Sequence, residues 1–133
     1  MIKGKKYFRQ GAAVVEMAVV LPLLLTLVFG IIQYGYIFMV RQSLTHAANE
    51  ACRVATLPGS TDADVLASVD AYMTGPGLTG YTVSITHYTT VDPTETVTVQ
   101  IPYASVSLLG DFFGAVEGKM LGFTSKQRKQ GVD

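Results

Sequence analysis

Few side chains in this 133-residue sequence could perform chemistry. It contains two histidines, His46 and His87, and one cysteine, Cys52. His46 has no identifiable nucleophile or orienting acid beside it, so general-base catalysis by this residue is not indicated. Two histidines and one thiol are also few for a zinc site, and a single cysteine cannot form an intrachain disulfide. The sequence therefore predicts no enzyme, no metal site and no cofactor.

Glu16 is the remaining candidate, because it is an acidic residue at the start of a long apolar run. Its neighbours, Ala12 to Val15 before it and Met17 after it, give the carboxylate no partner. Ionisable groups at such positions are costly and often functional. The alternative is an interfacial acid favoured by the positive N-terminus of a helix. Either interpretation needs a long helix to position the carboxylate.

The segment that supplies this helix is residues 17–40, MAVVLPLLLTLVFGIIQYGYIFMV, which contains no charged side chain. As a helix it extends about 36 Å and crosses a hydrocarbon layer of about 30 Å with room for tilt. It explains why mean hydropathy is +0.34 while only 15% of residues are charged. A buried core helix is disfavoured, because so short a chain cannot wrap around it.

Basic residues on either side of the apolar segment predict its orientation. More of them precede it than follow it within 20 residues: Lys3, Lys5, Lys6 and Arg9 upstream, Arg41 and Arg53 downstream. The N-terminus is therefore expected in the cytoplasm and everything after Val40 outside it, in a single-pass inner-membrane protein. A cleaved secretory signal is the alternative, but the apolar run is too long and ends without a small-x-small cleavage site.

The motifs around Glu16 resemble the N-terminal signature of a pilin family. Residues 11–16, GAAVVE, follow a short basic leader and look like a type IV prepilin processing site. Over residues 10–56, the elements Val-Glu-x-Ala, Leu-Pro-Leu-Leu, Phe-Gly and Arg-Gln-x-Leu-x-x-Ala-Ala occur in the order found in the TadE-like family. These are minor pilins or pseudopilins of tight-adherence (Tad, Flp-type) systems. Met17, Gln33 and the Ala51-Cys52-Arg53 sequence depart from residues common in the family.

The resemblance implies processing and assembly. A prepilin peptidase would cut between Gly11 and Ala12, and the Glu16 carboxylate would pair with the new Ala12 ammonium of a neighbouring subunit, which fixes axial register. Further implied partners are major and minor pilins, the Tad inner-membrane assembly platform and the lipid bilayer. Pro22 removes a backbone donor within the span, so we expect a kink or a locally unwound segment there.

The net charge of zero argues against nucleic-acid binding.

A second interpretation stays open beside the pilin-like one. The chain could be an unprocessed single-pass membrane protein whose periplasmic head binds a partner or scaffolds an envelope complex. The mature N-terminus separates the two, because a pilin-like subunit would begin at Ala12 and an unprocessed protein at Met1.

Beyond residue 40, hydrophobic periodicity predicts the elements of a small head. An amphipathic stripe extends the first helix over residues 41–57, and a second helix is expected over 62–73 behind a capping pair of Thr61 and Asp64. Alternating side chains predict two strands near 81–88 and 96–103, joined by a hairpin, and a third near 121–125. Residues 105–116 are expected to form a short helix or packed loop, followed by a solvated basic tail: Lys126, Arg128 and Lys129.

The predicted fold class is α+β, with a long N-terminal transmembrane or stalk helix and a small pilin-like head that has a short helix and an antiparallel sheet of about three strands. The parts are a leader (1–11), a transmembrane and assembly helix (12–40), its amphipathic extension (41–57) and an extracytoplasmic head (58–133).

Cys52 lies on an alanine stripe and is interpreted as a packed apolar residue; an intermolecular disulfide is the alternative. His87 falls in the apolar phase and is interpreted as a core or edge residue.

Overall fold

The computed structural model describes residues 5–108, 110 and 118–131. The described elements are α1 (Lys5–Ala55), α2 (Asp62–Thr74), β1 (Thr82–Thr86), β2 (Thr94–Pro102), α3 (Tyr103–Val106) and β3 (Met120–Arg128). The chain divides into two compact units, residues 1–34 and 35–133. This layout, a long apolar helix followed by a short helix and a three-stranded antiparallel sheet, confirms the predicted α+β class.

Helix α1 begins at Lys5, upstream of the predicted leader boundary at residue 11. No proline or capping residue separates the basic leader from the apolar run, so the backbone has no reason to leave the helix there. The helix ends at Ala55, two residues before the predicted end. Pro58 explains this end, because a proline disfavours helical backbone at the residue before it, and Gly59 then takes a φ of +79°.

Helix α2 matches its predicted span to within one residue and has the predicted cap. The Thr61 amide donates to Asp64 Oδ2 over 2.9 Å, and the Asp64 amide donates to Thr61 Oγ1 over 3.4 Å. The Thr61 amide and hydroxyl both donate to the Asp64 carboxylate, and these two bonds lower the pKa of the Asp64 carboxyl. Val65, Val69 and Met73 form its buried face, whereas Leu66 and Tyr72 are exposed.

The sheet has the order β1-β2-β3, with both pairs antiparallel. Its register places Val99 of β2 opposite Val83 of β1 and Phe123 of β3, so apolar side chains from all three strands share one face. Pro102 lies at the end of a strand. It is the last residue of the central strand, where a missing amide donor breaks no interior part of the ladder.

One hydrophobic core joins the last turns of α1 to α2 and the sheet within residues 35–133. The fully buried members of the core from α1 are Val40, Leu44, Ala47, Ala48, Ala51 and Cys52. Those from the sheet are Val97, Val99 and Ile101, all on β2.

The segment between β2 and β3 is helical only in α3, four residues at Tyr103–Val106. Much of the predicted element at 105–116 falls on residues 109 and 111–117, which lie outside the described residues. The Tyr103 amide donates to the Lys119 carbonyl oxygen over 2.9 Å, which connects the two ends of this segment. Strand β3 is longer than predicted, since it includes the residues expected to form a solvated tail up to Arg128.

Candidate processing and assembly site

Gly11 and Ala12 lie within α1 and are exposed. A Cβ atom placed on Gly11 meets nothing within 4 Å, so packing does not require a glycine at this position. A glycine inside a helix lowers its stability by about 1 kcal/mol relative to alanine. The Gly11–Ala12 peptide bond is therefore helical, but it lies at a weak point of the helix.

Glu16 is exposed and lies four residues after Ala12. In an α-helix this spacing puts both residues on one face, about 6 Å apart along the axis. In the described part of the chain, Glu16 forms no ion pair. Its carboxylate is therefore available to a cation from outside the subunit.

Pro22 lies inside α1, and the helix continues through it without interruption. The expected local unwinding is not found, and the kink stays a prediction. The Thr26 hydroxyl donates to the Pro22 carbonyl oxygen over 2.8 Å, a back-bond to the preceding turn of the kind that often bends helices. Because Pro22 has no amide hydrogen, the helix lacks one backbone donor at this position.

Apolar side chains cover the exposed surface of the helix around these residues. Residues 11–29 are all exposed, and α1 is the one helix in the described chain that is long and apolar enough to cross a membrane. Exposing a single leucine or valine to water costs about 1.5–3 kcal/mol, so this surface must be covered by lipid or by other apolar helices. A single-pass membrane protein has this property.

Comparison with protein families agrees with the motif order. Residues 11–53 match the TadE-like protein family. The matched segment, about a third of the chain, falls within the residues 10–56 that carried the resemblance, and it confirms that resemblance. No curated protein and no solved structure matches the chain. Residues 11–53 are called the TadE-like segment below.

The TadE-like segment contains every residue that the sequence singled out for processing or assembly. Gly11, Ala12, Glu16 and Pro22 lie in the unit formed by residues 1–34, and Cys52 lies in the core of the unit formed by residues 35–133. The family that this segment matches is one of pilus-associated proteins. In the described residues, no group of histidine, cysteine and acidic side chains could hold a metal ion.

Cys52 is fully buried near the end of the TadE-like segment. Its thiol donates to the carbonyl oxygens of Glu95, over 3.3 Å, and Ser125, over 3.5 Å, so it lies against β2 and β3. Burial raises the pKa of the Cys52 thiol, which keeps it protonated and unreactive. These contacts favour the packing interpretation, and a disulfide with another chain requires the core to open first.

Arg53 and Glu50 form an ion pair on the last turns of α1. The Arg53 Nε donates to Glu50 Oε2 over 2.9 Å, which lowers the pKa of the Glu50 carboxyl. His46 is exposed and belongs to none of the ion pairs of the described residues. Nothing near His46 indicates catalysis.

A polar cluster around one buried carboxylate, that of Glu95, was missed from the sequence; its other members are Asp62, His87 and Lys129. Only 1% of the Glu95 side chain is exposed, and its Oε2 lies 3.3 Å from His87 Nδ1. The other nitrogen of His87 lies 3.2 Å from Asp62 Oδ1. His87 is therefore an edge residue whose ring is more than half exposed, not a core residue. The sequence did contain a signal for the burial of Glu95, since Glu95 alternates in step with Val97 and therefore falls on the buried face of β2.

Lys129 contradicts the prediction of a solvated basic tail. Its ammonium lies 3.6 Å from Glu95 Oε1 and donates to the carbonyl oxygens of Ala55, over 2.6 Å, and Leu57, over 3.4 Å. The last carbonyl groups of a helix lack intrahelical donors and carry partial negative charge, so they attract a cation. The adjacent Gln130 amide also donates to Thr56, over 3.2 Å. The chain after β3 thus fastens the end of α1 to β2.

Proposed function

We propose that this protein is a pilin-like minor subunit that takes part in the biogenesis or assembly of a Tad/Flp-type pilus and supports adhesion or surface secretion. The observation that carries the proposal is the TadE-like match, which contains Gly11 and, five residues later, Glu16 at the start of an exposed apolar helix. The subunit performs no chemistry itself in this proposal. It is a substrate and a building block.

The first step is cleavage by a prepilin peptidase between Gly11 and Ala12 at the cytoplasmic face of the inner membrane. Since this peptide bond is helical in α1, the residues around it must unwind to enter a protease site. Gly11 lowers the cost of that unwinding by about 1 kcal/mol relative to alanine. Cleavage removes four basic residues and no acidic one, which leaves 6 basic and 10 acidic residues and a formal charge of −4.

The second step is assembly through the new N-terminus. Cleavage creates an ammonium group on Ala12, one helical turn from the Glu16 carboxylate. In a bundle of α1 helices, Glu16 of one subunit pairs with the Ala12 ammonium of the next. Each charge alone is costly in an apolar bundle, whereas the hydrogen-bonded pair is tolerated, so only the correct axial register satisfies both.

The proposed location follows from the same features. The subunit is inserted with its N-terminus in the cytoplasm and its head outside, because the basic residues before the span outnumber those shortly after it. Its partners are the peptidase, the major and minor pilins, the Tad inner-membrane platform and the lipid bilayer. The exposed apolar surface of residues 17–29 contacts lipid before assembly and other pilin helices afterwards.

Substitution of Glu16 tests the assembly step. We expect Glu16→Ala to leave cleavage largely intact but to abolish incorporation into pili, measured as the amount of mature subunit in sheared pilus fractions. Glu50→Ala is the matched control, because it removes one acid from the same TadE-like segment at a position paired with Arg53. Incorporation of Glu16→Ala at the level of the control would contradict the role of this carboxylate.

A further inference from the structure

One face of the sheet points away from the core and is covered by nothing in the described chain. It consists of the even-numbered residues of β1 (82–86), β2 (94–100) and β3 (120–128), which alternate with the core residues, and it is called the outer sheet face. Most of its side chains are threonines or serine, and Met120 is its one large apolar residue. Its charged members are Lys126 and Arg128, and none is acidic.

A cleft of about 360 Å³ opens at the end of the outer sheet face next to the β1–β2 loop. The register places Thr86, Thr96 and Lys126 side by side on the three strands, and all three line the cleft. Since neighbouring strands lie about 4.8 Å apart, this row presents two hydroxyl groups and one ammonium over about 10 Å. Arg128 lies in the adjacent row, opposite Thr94.

The loop beside the cleft is held by its own hydrogen bonds. The Thr89 amide donates to the Asp92 carbonyl oxygen over 2.7 Å, and the Asp92 amide donates to Thr89 Oγ1 over 3.0 Å. The Thr94 amide and hydroxyl both donate to Asp92 Oδ1, over 3.2 and 2.6 Å. Asp92, the one carboxylate among the cleft-lining residues, is therefore already engaged within the loop.

The two cations of the outer sheet face, Lys126 and Arg128, lack partners of this kind within the described residues. In the described part of the chain, neither Lys126 nor Arg128 forms an ion pair, and both are exposed. His87 also lines the cleft, but its two nitrogens face Asp62 and Glu95. The surface thus offers two positive charges that form no ion pair within the described residues, and threonine hydroxyl groups lie beside them.

We propose that the outer sheet face binds an acidic polysaccharide, a chain of sugar units that carry carboxylate groups. Lys126 and Arg128 pair with the carboxylates, and the threonine hydroxyls exchange hydrogen bonds with the sugar hydroxyls. A protein partner fits this face less well, because protein interfaces centre on apolar or aromatic anchors and the face provides only Met120, at its far end. This inference goes beyond the pilus proposal and does not require processing at Gly11.

Binding is tested on the full chain in detergent micelles with labelled polygalacturonate, with neutral dextran and polyglutamate as comparison ligands. We expect polygalacturonate to bind in a salt-sensitive way and dextran not to bind. The double variant Lys126→Ala/Arg128→Ala should weaken binding at least about tenfold, and Thr86→Val/Thr96→Val about threefold, as expected for lost ion pairs and hydrogen bonds. The double variant Arg41→Ala/Lys119→Ala, which removes two charges outside the face, should bind like the wild type.

Three results would overturn the proposal. The first is no binding of polygalacturonate, and the second is an equal loss in the Arg41→Ala/Lys119→Ala control, which means that net charge alone attracts the ligand. The third is equally tight binding of polyglutamate with no effect of Thr86→Val/Thr96→Val, which points to an acidic peptide. Lys126→Arg keeps the charge and should retain binding, so a loss from misfolding is distinguished from a loss of the cation.

Discussion

The Lys129 ammonium lies 3.6 Å from a carboxylate oxygen of Glu95, whose side chain is only 1% exposed. Lys129 also donates to Ala55, the last residue of α1. This contact joins three parts of the head that are distant in sequence: the end of α1, the start of β2 and the residue after β3. It connects the sheet of the head to the helix that carries the TadE-like segment.

Loss of the Lys129 cation should destabilise the head. Breaking a buried ion pair costs about 3–5 kcal/mol; for Lys129→Met we expect about 2 kcal/mol, because the lysine is partly exposed and His87 still faces Glu95. Hydrogen exchange of the β2 and β3 amides in the full chain, in detergent micelles, measures this change. The exposed Lys126→Met is the matched control and should change stability by less than about 0.5 kcal/mol.

A double variant separates a buried charge from lost packing. Glu95→Leu/Lys129→Met removes both charges, and buried ion pairs replaced by apolar residues are often neutral in stability. We therefore expect the double variant to exchange more slowly than Lys129→Met alone. If the double variant exchanges faster than Lys129→Met, the loss of stability in Lys129→Met does not come from an unpaired Glu95 carboxylate, and this explanation is contradicted.

The capping box of α2 should be sensitive to Thr61→Ala. This variant removes the hydroxyl that accepts from the Asp64 amide and donates to its carboxylate, and loss of such a cap costs about 1 kcal/mol. We expect faster hydrogen exchange in the first turn of α2, whereas Thr74→Ala at the other end of the helix should leave those amides unchanged. Equal exchange in the two variants would show that the cap does not stabilise α2.

Alkaline pH should weaken the contact between Tyr81 and Asp70. The Tyr81 hydroxyl donates to Asp70 Oδ1 over 2.5 Å, which raises the pKa of Tyr81 to about 12 from its ordinary value of 10.0. Because the pKa is raised in the folded state, the stabilisation is complete below pH 10 and is lost as the pH rises to about 12. A titration of tyrosinate absorbance should show a late step in the wild type that is absent in Tyr81→Phe. Identical late titration in both proteins would contradict this assignment.

Cys52 should be protected from thiol reagents in the folded protein. Since its side chain is fully buried and its thiol pKa is raised, alkylation should be at least about 100-fold slower than in denaturant. The rate of maleimide labelling in micelles, with and without denaturant, measures this protection. Rapid labelling of the native chain, or a dimer band on non-reducing gels that disappears in Cys52→Ser, would support the intermolecular disulfide instead.

Elements with strong periodicity could be predicted from the sequence because local pattern alone determines them. The cap at Thr61 and the alternation in β2 each identified their element to within two residues, and the apolar run after Glu16 identified the existence of α1. The ends of the helices and strands were predicted less accurately where no proline, capping residue or change of periodicity marks them. At Gly11, for example, a single glycine does not end a helix, so α1 extends to Lys5.

Contacts between distant residues could not be predicted in the same way. Lys129 looked like part of a solvated tail because nothing near it in sequence shows that the end of α1 and Glu95 lie beside it. Glu95 itself had a usable signal, its place in the apolar phase of β2, but an acid in that phase is recognisable as buried only when a cation partner is known. The exposure of Leu66 likewise depends on how α2 docks, not on its own sequence pattern.

The mass of the protein isolated from its native host tests the proposed function most directly. The proposed processing predicts a mature chain that begins at Ala12, lacks the 11-residue leader and carries a formal charge of −4. A variant with a bulky residue at the cut, Gly11→Leu, should keep Met1 at its N-terminus. A wild-type chain with an intact leader would contradict the pilin-like function and support an unprocessed single-pass protein.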